Sequence, residues 1–597
     1  MQFGYDDPHT YSRPEEIVTR HLSLDLNVDF EKRQISGTAI HTIQNNGADT
    51  FIVDIKGLSI IEVSLDDPEG PVPVMFTPED AILGRGLKIP VSKTAEKVTI
   101  RYSAPADAAA LGWLTPEQTA GKTSPFLYTQ GQAILTRTWI PLQDSPGVRF
   151  TYDAKLEVPA GMMAAMSATN PQERSPDGHY QFKMEYPVPG YLIALAVGDF
   201  DYTAISSRTG VYAEPPILEK AKDEFVDMEK MVVIAEGLYG PYRWDRYDVI
   251  ILPPSFPFGG MENPKLTFAT PTIIAGDRSL VSLIAHELAH SWSGNLVTNA
   301  TWNDFWLNEG FTTYFENRIM EALYGKEYAA MLTLLGYQDL EKTVNDLGRT
   351  HEDTHLFLDL EDRDPDDGMT SIAYDKGKFF LMRLEEAAGR ETFDAFLRKY
   401  FDEHQFQSMS TSRFATYLKE NLLDPEELDV DIDAWIYGPG IPPDCPEISS
   451  DRFKKAEAAV DSFVDGERAV GLPVDGWTTH EWLHFIRHLP KDLNVRRMRE
   501  LDEAFNFSKS GNYEIAAAWY ELALRNEPSD GGTGYADVIL TEIEEFLTVV
   551  GRRKFLMPLY RAMKENERLE EAQRIFTSAK QNYHSVSAAS VADLLGV

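Results

Sequence analysis

The run His286-Glu287-Leu288-Ala289-His290 constrains this 597-residue chain more than any other feature. In a helix, side chains four residues apart stack on one face, so both imidazoles can point at a single ion. Glu287 lies beside them, placed to take a proton from an activated water. Two core histidines at a chance spacing would be the bland account, and the next helical stretch weighs against it. Trp306-Leu307-Asn308-Glu309-Gly310 follows, with 18 residues between His290 and Glu309. A catalytic zinc takes three protein ligands and keeps one position open, and a carboxylate on a neighbouring antiparallel helix is one way to supply the third. Glu316 falls two turns further along the same side as Glu309, where it can orient a liganding histidine through its second ring nitrogen; an exposed helix charge is its alternative.

Around this motif the chain divides into segments of different periodicity. His21 to Phe30 alternates apolar and polar residues, and Lys97 to Tyr102 and Val148 to Val158 repeat that half-buried strand pattern. Turn-rich runs such as Asp66-Asp67-Pro68-Glu69-Gly70 separate them. An N-terminal antiparallel β domain over 1–204 is expected. From about Leu218 the spacing becomes helical, clearest over Leu280 to Asn295 with Gly294 placed to end that helix. A mostly α catalytic domain over 205–437 follows from this. Gly438-Pro439-Gly440-Ile441-Pro442-Pro443 opens a proline-rich linker, 438–450, because three prolines so close cannot continue a helix. Beyond Asp451 nearly every segment is helical, yet no 34-residue period persists. An irregular helical-repeat domain over 451–597, of the armadillo or HEAT kind, is the expectation. The fold class is multidomain α+β.

Composition removes several function classes. Lys and Arg total 56 against 94 Asp and Glu, a formal charge of −38 that repels phosphate backbones, so nucleic acid is not an expected partner. The single cysteine, Cys445, cannot form an intrachain disulfide and sits in a proline-flanked segment unsuited to a nucleophile. No apolar run approaches the roughly 18 residues of a membrane span. The N-terminal residues Met1 to Asp7 lack the basic and apolar regions of a secretory leader. A cytoplasmic protein is expected, or a periplasmic one if a leader has been removed; the sequence leaves the oligomeric state open, with a monomer as the default.

The His286-Glu287-x-x-His290 motif with its distant Glu309 resembles the gluzincin metallopeptidases. Gly259-Gly260-Met261-Glu262-Asn263 resembles the exopeptidase motif of the M1 aminopeptidase family. Within that family the chain is similar to the branch of leukotriene A4 hydrolase and aminopeptidase B, over its whole length. The resemblance implies a thermolysin-like catalytic domain, one Zn2+ per chain and short peptides with a free N-terminus as substrates. Glu262 also makes physical sense, since a buried carboxylate favours an α-ammonium group through a charge-assisted hydrogen bond. An internal amide would leave it unpaired at a cost of roughly 1–3 kcal/mol. The glycines beside it would let backbone approach the substrate closely.

By the same resemblance Gln132 helps hold the substrate amine, and Tyr374 stabilises the oxyanion. Asp366 matches a position upstream of Tyr374; a solvated loop charge is its alternative. Arg552 and Lys554, in Gly551-Arg552-Arg553-Lys554-Phe555, would face a substrate carboxylate; a helix-end charge cluster is theirs. Phe258 and Met369 stand where the branch has tyrosines. They alter pocket walls, so neither residue preference nor epoxide hydrolysis carries over. A lipid epoxide hydrolase would betray itself by releasing a diol, and a catalytically silent peptide-binding scaffold by failing to cleave amino-acid amides.

Overall fold

The computed structural model describes residues 6–67, 69–526 and 534–597. Met1 to Tyr5, part of the run read above for a leader, and Pro68 of the predicted turn lie outside them. The first sheet has seven strands, in the order His179–Pro189, Arg149–Glu157, Ile17–Asp29, Gln34–Asn45, Lys97–Ala104, Ser59–Asp66, Glu69–Pro71. Alternation sets its faces: Leu22, Leu24, Leu26 and Val28 point inward while Asp25 and Asn27 face solvent.

One pairing departs from the antiparallel expectation. Ile17–Asp29 runs parallel to Arg149–Glu157, with Leu22 opposite Tyr152. A parallel pair needs a long crossover, and the intervening strands provide it. Period-2 alternation looks the same in either orientation, which is why the sequence did not distinguish them. Asp201–Ala204 pairs with Thr209–Ala213, which continues in parallel to Tyr247–Ile251 and Leu266–Ala269, with Gly260–Met261 antiparallel at the edge.

The motif helix is shorter than the periodicity suggested. It spans Ser282–Ala289, with His290 as its cap. The chain then reverses: Asn295 N–H donates to the His290 carbonyl (3.0 Å), and Gly294 takes φ +110°, a value that disfavours any side chain. A longer helix would have carried the chain away from the short strand Val297–Asn299.

The Trp306–Tyr324 helix packs against the motif helix on one side and the Gly377–Ala388 helix on the other. Their closest approach is at two glycines: a Cβ on Gly310 would lie 2.8 Å from the Gly377 Cα and 3.2 Å from the Ala373 carbonyl oxygen. A single turn of π-helix, Ile372–Lys376, precedes Gly377 and carries Tyr374. Such turns insert one residue and redirect a side chain.

The proline-rich segment is docked rather than free. Lys376 Nζ donates to the Gly438 carbonyl (2.7 Å), and Ile441, Cys445 and Ile448 pack on the main core. Burial, with Asp444 beside it, pushes the Cys445 thiol up to about 12, so it stays protonated. Helices from Asp451–Val464 onward enclose a second core of their own around Trp519, Leu556 and Met563. Among the described residues no helix is long and apolar enough to cross a membrane.

Gly310→Val should drive the two helices apart. Overpacking of this kind costs about 1–3 kcal/mol, read as a lowered urea midpoint relative to the unsubstituted chain. An unchanged midpoint would mean that the Gly310–Gly377 contact yields without strain.

Candidate metal centre and substrate cleft

Helix geometry brings the motif residues together as the spacing required. His286 Nε2 lies 3.2 Å and His290 Nε2 3.5 Å from Glu309 Oε2. One donor atom from each of the three residues lies within 4.8 Å of the others. Each ring is fixed by its other nitrogen. His286 Nδ1–H donates to Glu316 Oε2 (3.1 Å), and His290 Nδ1–H donates to the Ser293 carbonyl (2.9 Å), with Thr312 Oγ1 3.1 Å away. Both Nε2 atoms therefore face Glu309, the tautomer a metal ligand needs.

The electrostatics of the cluster suit a dication. Burial alone would neutralise these carboxyl groups. Burial pushes Glu309 up, but His290 and His286 hold it down at about 2. Burial pushes His290 down, yet Glu262 and Glu309 bring it up to about 9. The two imidazoles are thus recruited as cations by surplus negative charge. A divalent ion would meet that demand and leave the rings neutral, and a His₂Glu set with an open side is a zinc donor set.

Glu287 stays outside this ligand group. Burial lifts its carboxyl to about 8, against the pull of His286 and His290. Gly260 lies against it: a Cβ there would collide with the Glu287 carboxylate, and one on Gly259 would lie 2.8 Å from Arg552 Nη2. The two glycines thus admit neighbouring side chains of the protein itself, a reason beyond substrate approach that only the folded chain reveals.

Glu262 follows the edge strand Gly260–Met261. Its carbonyl accepts from Asn295 Nδ2 (2.7 Å), which fixes the backbone, and its side chain is 3% exposed. One carboxylate oxygen, Oε1, is buried with no hydrogen-bond partner. A carboxylate oxygen of Glu262 sits within 4.8 Å of donor atoms of Glu287 and His290. Burial raises its pKa, and Glu309 adds to the rise while His290 opposes it.

All these groups open on one cavity of about 390 Å³. Its walls include Gln132 from the β domain, Glu262, Glu287 and Tyr374 from the middle of the chain, and Arg552 and Lys554 from the C-terminal helices. Phe258 and Met369 line it as well. Met261 and Asn263 are buried beside Glu262 without lining the cavity, and Met261 Sδ accepts from Gln130 Nε2 (3.2 Å). Asp366 is not among the lining residues; burial, with Asp364 nearby, pushes it up to about 7. The Tyr374 ring stacks at 6.0 Å from that of His286, and burial followed by Glu309, Glu262 and Glu287 keeps its hydroxyl protonated.

Two backbone hydrogen bonds bring the distant cations to the cleft. Gly551 N–H donates to the Pro254 carbonyl and Arg553 N–H to the Pro257 carbonyl, each at 2.8 Å. Arg552, 5% exposed, donates through Nη1 to Thr272 Oγ1 (3.1 Å) and Glu514 Oε1 (3.2 Å), while its Nε has no partner. Lys554 Nζ donates to both Glu514 oxygens (3.0 and 2.9 Å). Sequence reasoning missed Glu514. Lys554 and Arg552 hold its buried carboxyl at about 2 against desolvation, and nothing local in Tyr513-Glu514-Ile515 signals that role.

Comparison with known proteins agrees with this arrangement. Residues 224–435 match the peptidase family M1 domain, 9–192 the peptidase M1 N-terminal domain, and 477–595 the C-terminal domain of leukotriene A4 hydrolase. The chain is 36% identical to leukotriene A-4 hydrolase of Xenopus laevis, over 98% of each chain. It is 34% identical to leucine aminopeptidase 2 of Ajellomyces capsulatus, over 99% of this chain and 97% of that one. Its fold superposes on yeast LTA4 hydrolase in complex with bestatin with a TM-score of 0.90 and 31% identity, covering 100% of this chain and 98% of that one. With near full-length identity of this order and the His₂Glu cluster in place, the chain belongs to the M1 family of peptidases.

Proposed function

We propose that this protein is a zinc aminopeptidase that releases N-terminal residues from short peptides. The observation that carries the reading is the buried, unpartnered Oε1 of Glu262 beside the His₂Glu cluster. A buried carboxylate oxygen without a donor is costly, and an incoming α-ammonium group supplies that donor. The sequence limits 1–204, 205–437, 438–450 and 451–597 belong to the same proposal, and all but the linker contribute residues to the cleft.

His286, His290 and Glu309 would hold one zinc ion, which when bound supplies Lewis acidity toward water and the scissile carbonyl. Glu287 takes the proton of the attacking water and returns it to the leaving nitrogen. The Tyr374 hydroxyl donates to the oxygen that becomes negative. Glu262 and Gln132 grip the α-ammonium and thereby fix which peptide bond meets Glu287. Glu316 keeps the His286 ring in its tautomer, whereas Asp366, which does not line the cavity, is given no part in the step. Arg552 and Lys554 receive the peptide's carboxylate. Glu514 already accepts from both, leaving this corner one net positive charge.

Three outcomes test the reading. Amino-acid amides with a free amine should be cleaved and their Nα-acetyl counterparts left intact, because acetylation removes the charge that Glu262 binds. Equal turnover of both would make the protein an endopeptidase or unspecific hydrolase. Glu287→Gln should keep its zinc by metal analysis while turnover falls by several orders of magnitude. Loss of zinc, or near-normal turnover, would remove Glu287 from the base role.

Arg552→Ala should impair tripeptide hydrolysis far more than that of an amino-acid anilide, which carries no carboxylate. Losing a charge-assisted hydrogen bond worth roughly 1.5–3 kcal/mol lowers kcat/KM on peptides about 10- to 150-fold. Equal losses on the two substrates would mean that Arg552 supports the fold rather than the substrate.

A further inference from the structure

A second donor set of the same kind lies outside the cleft. His484 and His488 stand four residues apart on the Thr479–His488 helix, and Glu457 projects from the neighbouring Asp451–Val464 helix. One donor atom from each lies within 4.8 Å of the others. This repeats the pattern of His286, His290 and Glu309: two imidazoles on one helical face and a carboxylate from the packed helix. We propose that Glu457, His484 and His488 form a second binding site for a divalent transition-metal ion of the zinc class.

The rings are preorganised. His484 is buried and stacks flat on Phe453, with centroids 3.9 Å apart and 13° between planes. His488 lies over it at 4.0 Å. His488 Nδ1–H donates to the His484 carbonyl (2.7 Å), which leaves Nε2 with its lone pair free for a ligand role. Because His484 Nδ1 accepts from the Gln338 amide, the ring holds a single proton and is neutral, as a ligand must be. Glu457 Oε1 sits 2.8 Å from His484 Nε2 and is half exposed, so water can complete the coordination. The two imidazole donors favour zinc, nickel and copper over calcium or magnesium.

Occupancy would reach the substrate cavity. His484 Nδ1 now accepts from Gln338 Nε2–H (2.9 Å), while Gln338 Oε1 accepts from Arg487 Nη1–H (3.1 Å). An ion on His484 Nε2 moves the ring proton to Nδ1, so the Gln338 amide must turn its oxygen toward the ring. Arg487 then loses that acceptor and keeps its pair with Asp339 (3.0 Å). Both Arg487 and Asp339 line the cavity described above.

The test uses the whole protein already loaded at the first centre, dialysed against roughly 50 μM free Zn2+ within the usual micromolar-to-millimolar span of modest sites. Metal analysis should find two equivalents in the unsubstituted chain and one in His488→Ala, whose exposed ring is dispensable for packing. Glu457→Gln should also lose the second equivalent or weaken it at least tenfold. Excess Ca2+ should not displace the second ion. Anilide turnover in metal-free buffer should be the same for His488→Ala and the parent. One equivalent in the unsubstituted chain, or two in both variants, would overturn the assignment. Because the readout is metal content, it also stands if the aminopeptidase reading fails.

Discussion

The structure is organised around surplus buried negative charge. Glu262, Glu287, Glu309 and Glu316 converge on two imidazoles along one cavity, the first three of them buried. Carboxylates so placed would repel one another or take up protons unless a cation joins them. The helices around them hold that composition in place. Gly310 and Gly377 let two helices meet backbone to backbone, so Glu309 cannot retreat from the histidines. Ser293 and Glu316 lock the rings from behind. Rigidity here is what makes a metal the cheapest relief for the cluster.

The same constraint explains why the cleft needs three segments of chain. A helix pair can present a metal site, but it cannot also reach both ends of a peptide. The β domain lends Gln132, an edge strand lends Glu262, and the C-terminal helices lend Arg552 and Lys554. Two backbone hydrogen bonds from Gly551 and Arg553 to the loop before Gly259 join the last of these to the second. The loop that carries the exopeptidase motif is therefore also the seat of the C-terminal cations.

What was legible in the sequence was whatever depends on short-range periodicity. The i, i+4 histidines, the alternating strands and the switch to helical spacing all express local geometry. Less legible were features fixed by contact between distant segments. The parallel run of Ile17–Asp29 beside Arg149–Glu157 leaves no mark in alternation. The early end of the motif helix is set by how the chain must turn to reach Val297–Asn299, and Gly294 alone placed it four residues late. Glu514 reads as an ordinary helix-start carboxylate until Arg552 and Lys554 fold onto it. Gly260 reads as room for substrate until Glu287 fills the space its missing side chain leaves.

Charge placement then connects the overall composition to the proposed substrate. The chain carries −38 formal charges, so a free peptide carboxylate meets repulsion over most of the surface. Inside the cleft the sign reverses at the Arg552 end, where two cations share one carboxylate. At the other end the unpartnered oxygen of Glu262 waits for a cation. A zwitterionic peptide laid between them satisfies both poles at once, while a peptide of the wrong length satisfies one and strands the other. On the proposed function, length selection would need no steric wall, because the separation of the two charged ends would itself be the ruler. The unpartnered Nε of Arg552 marks the positive end of that ruler, as the Oε1 of Glu262 marks the negative one.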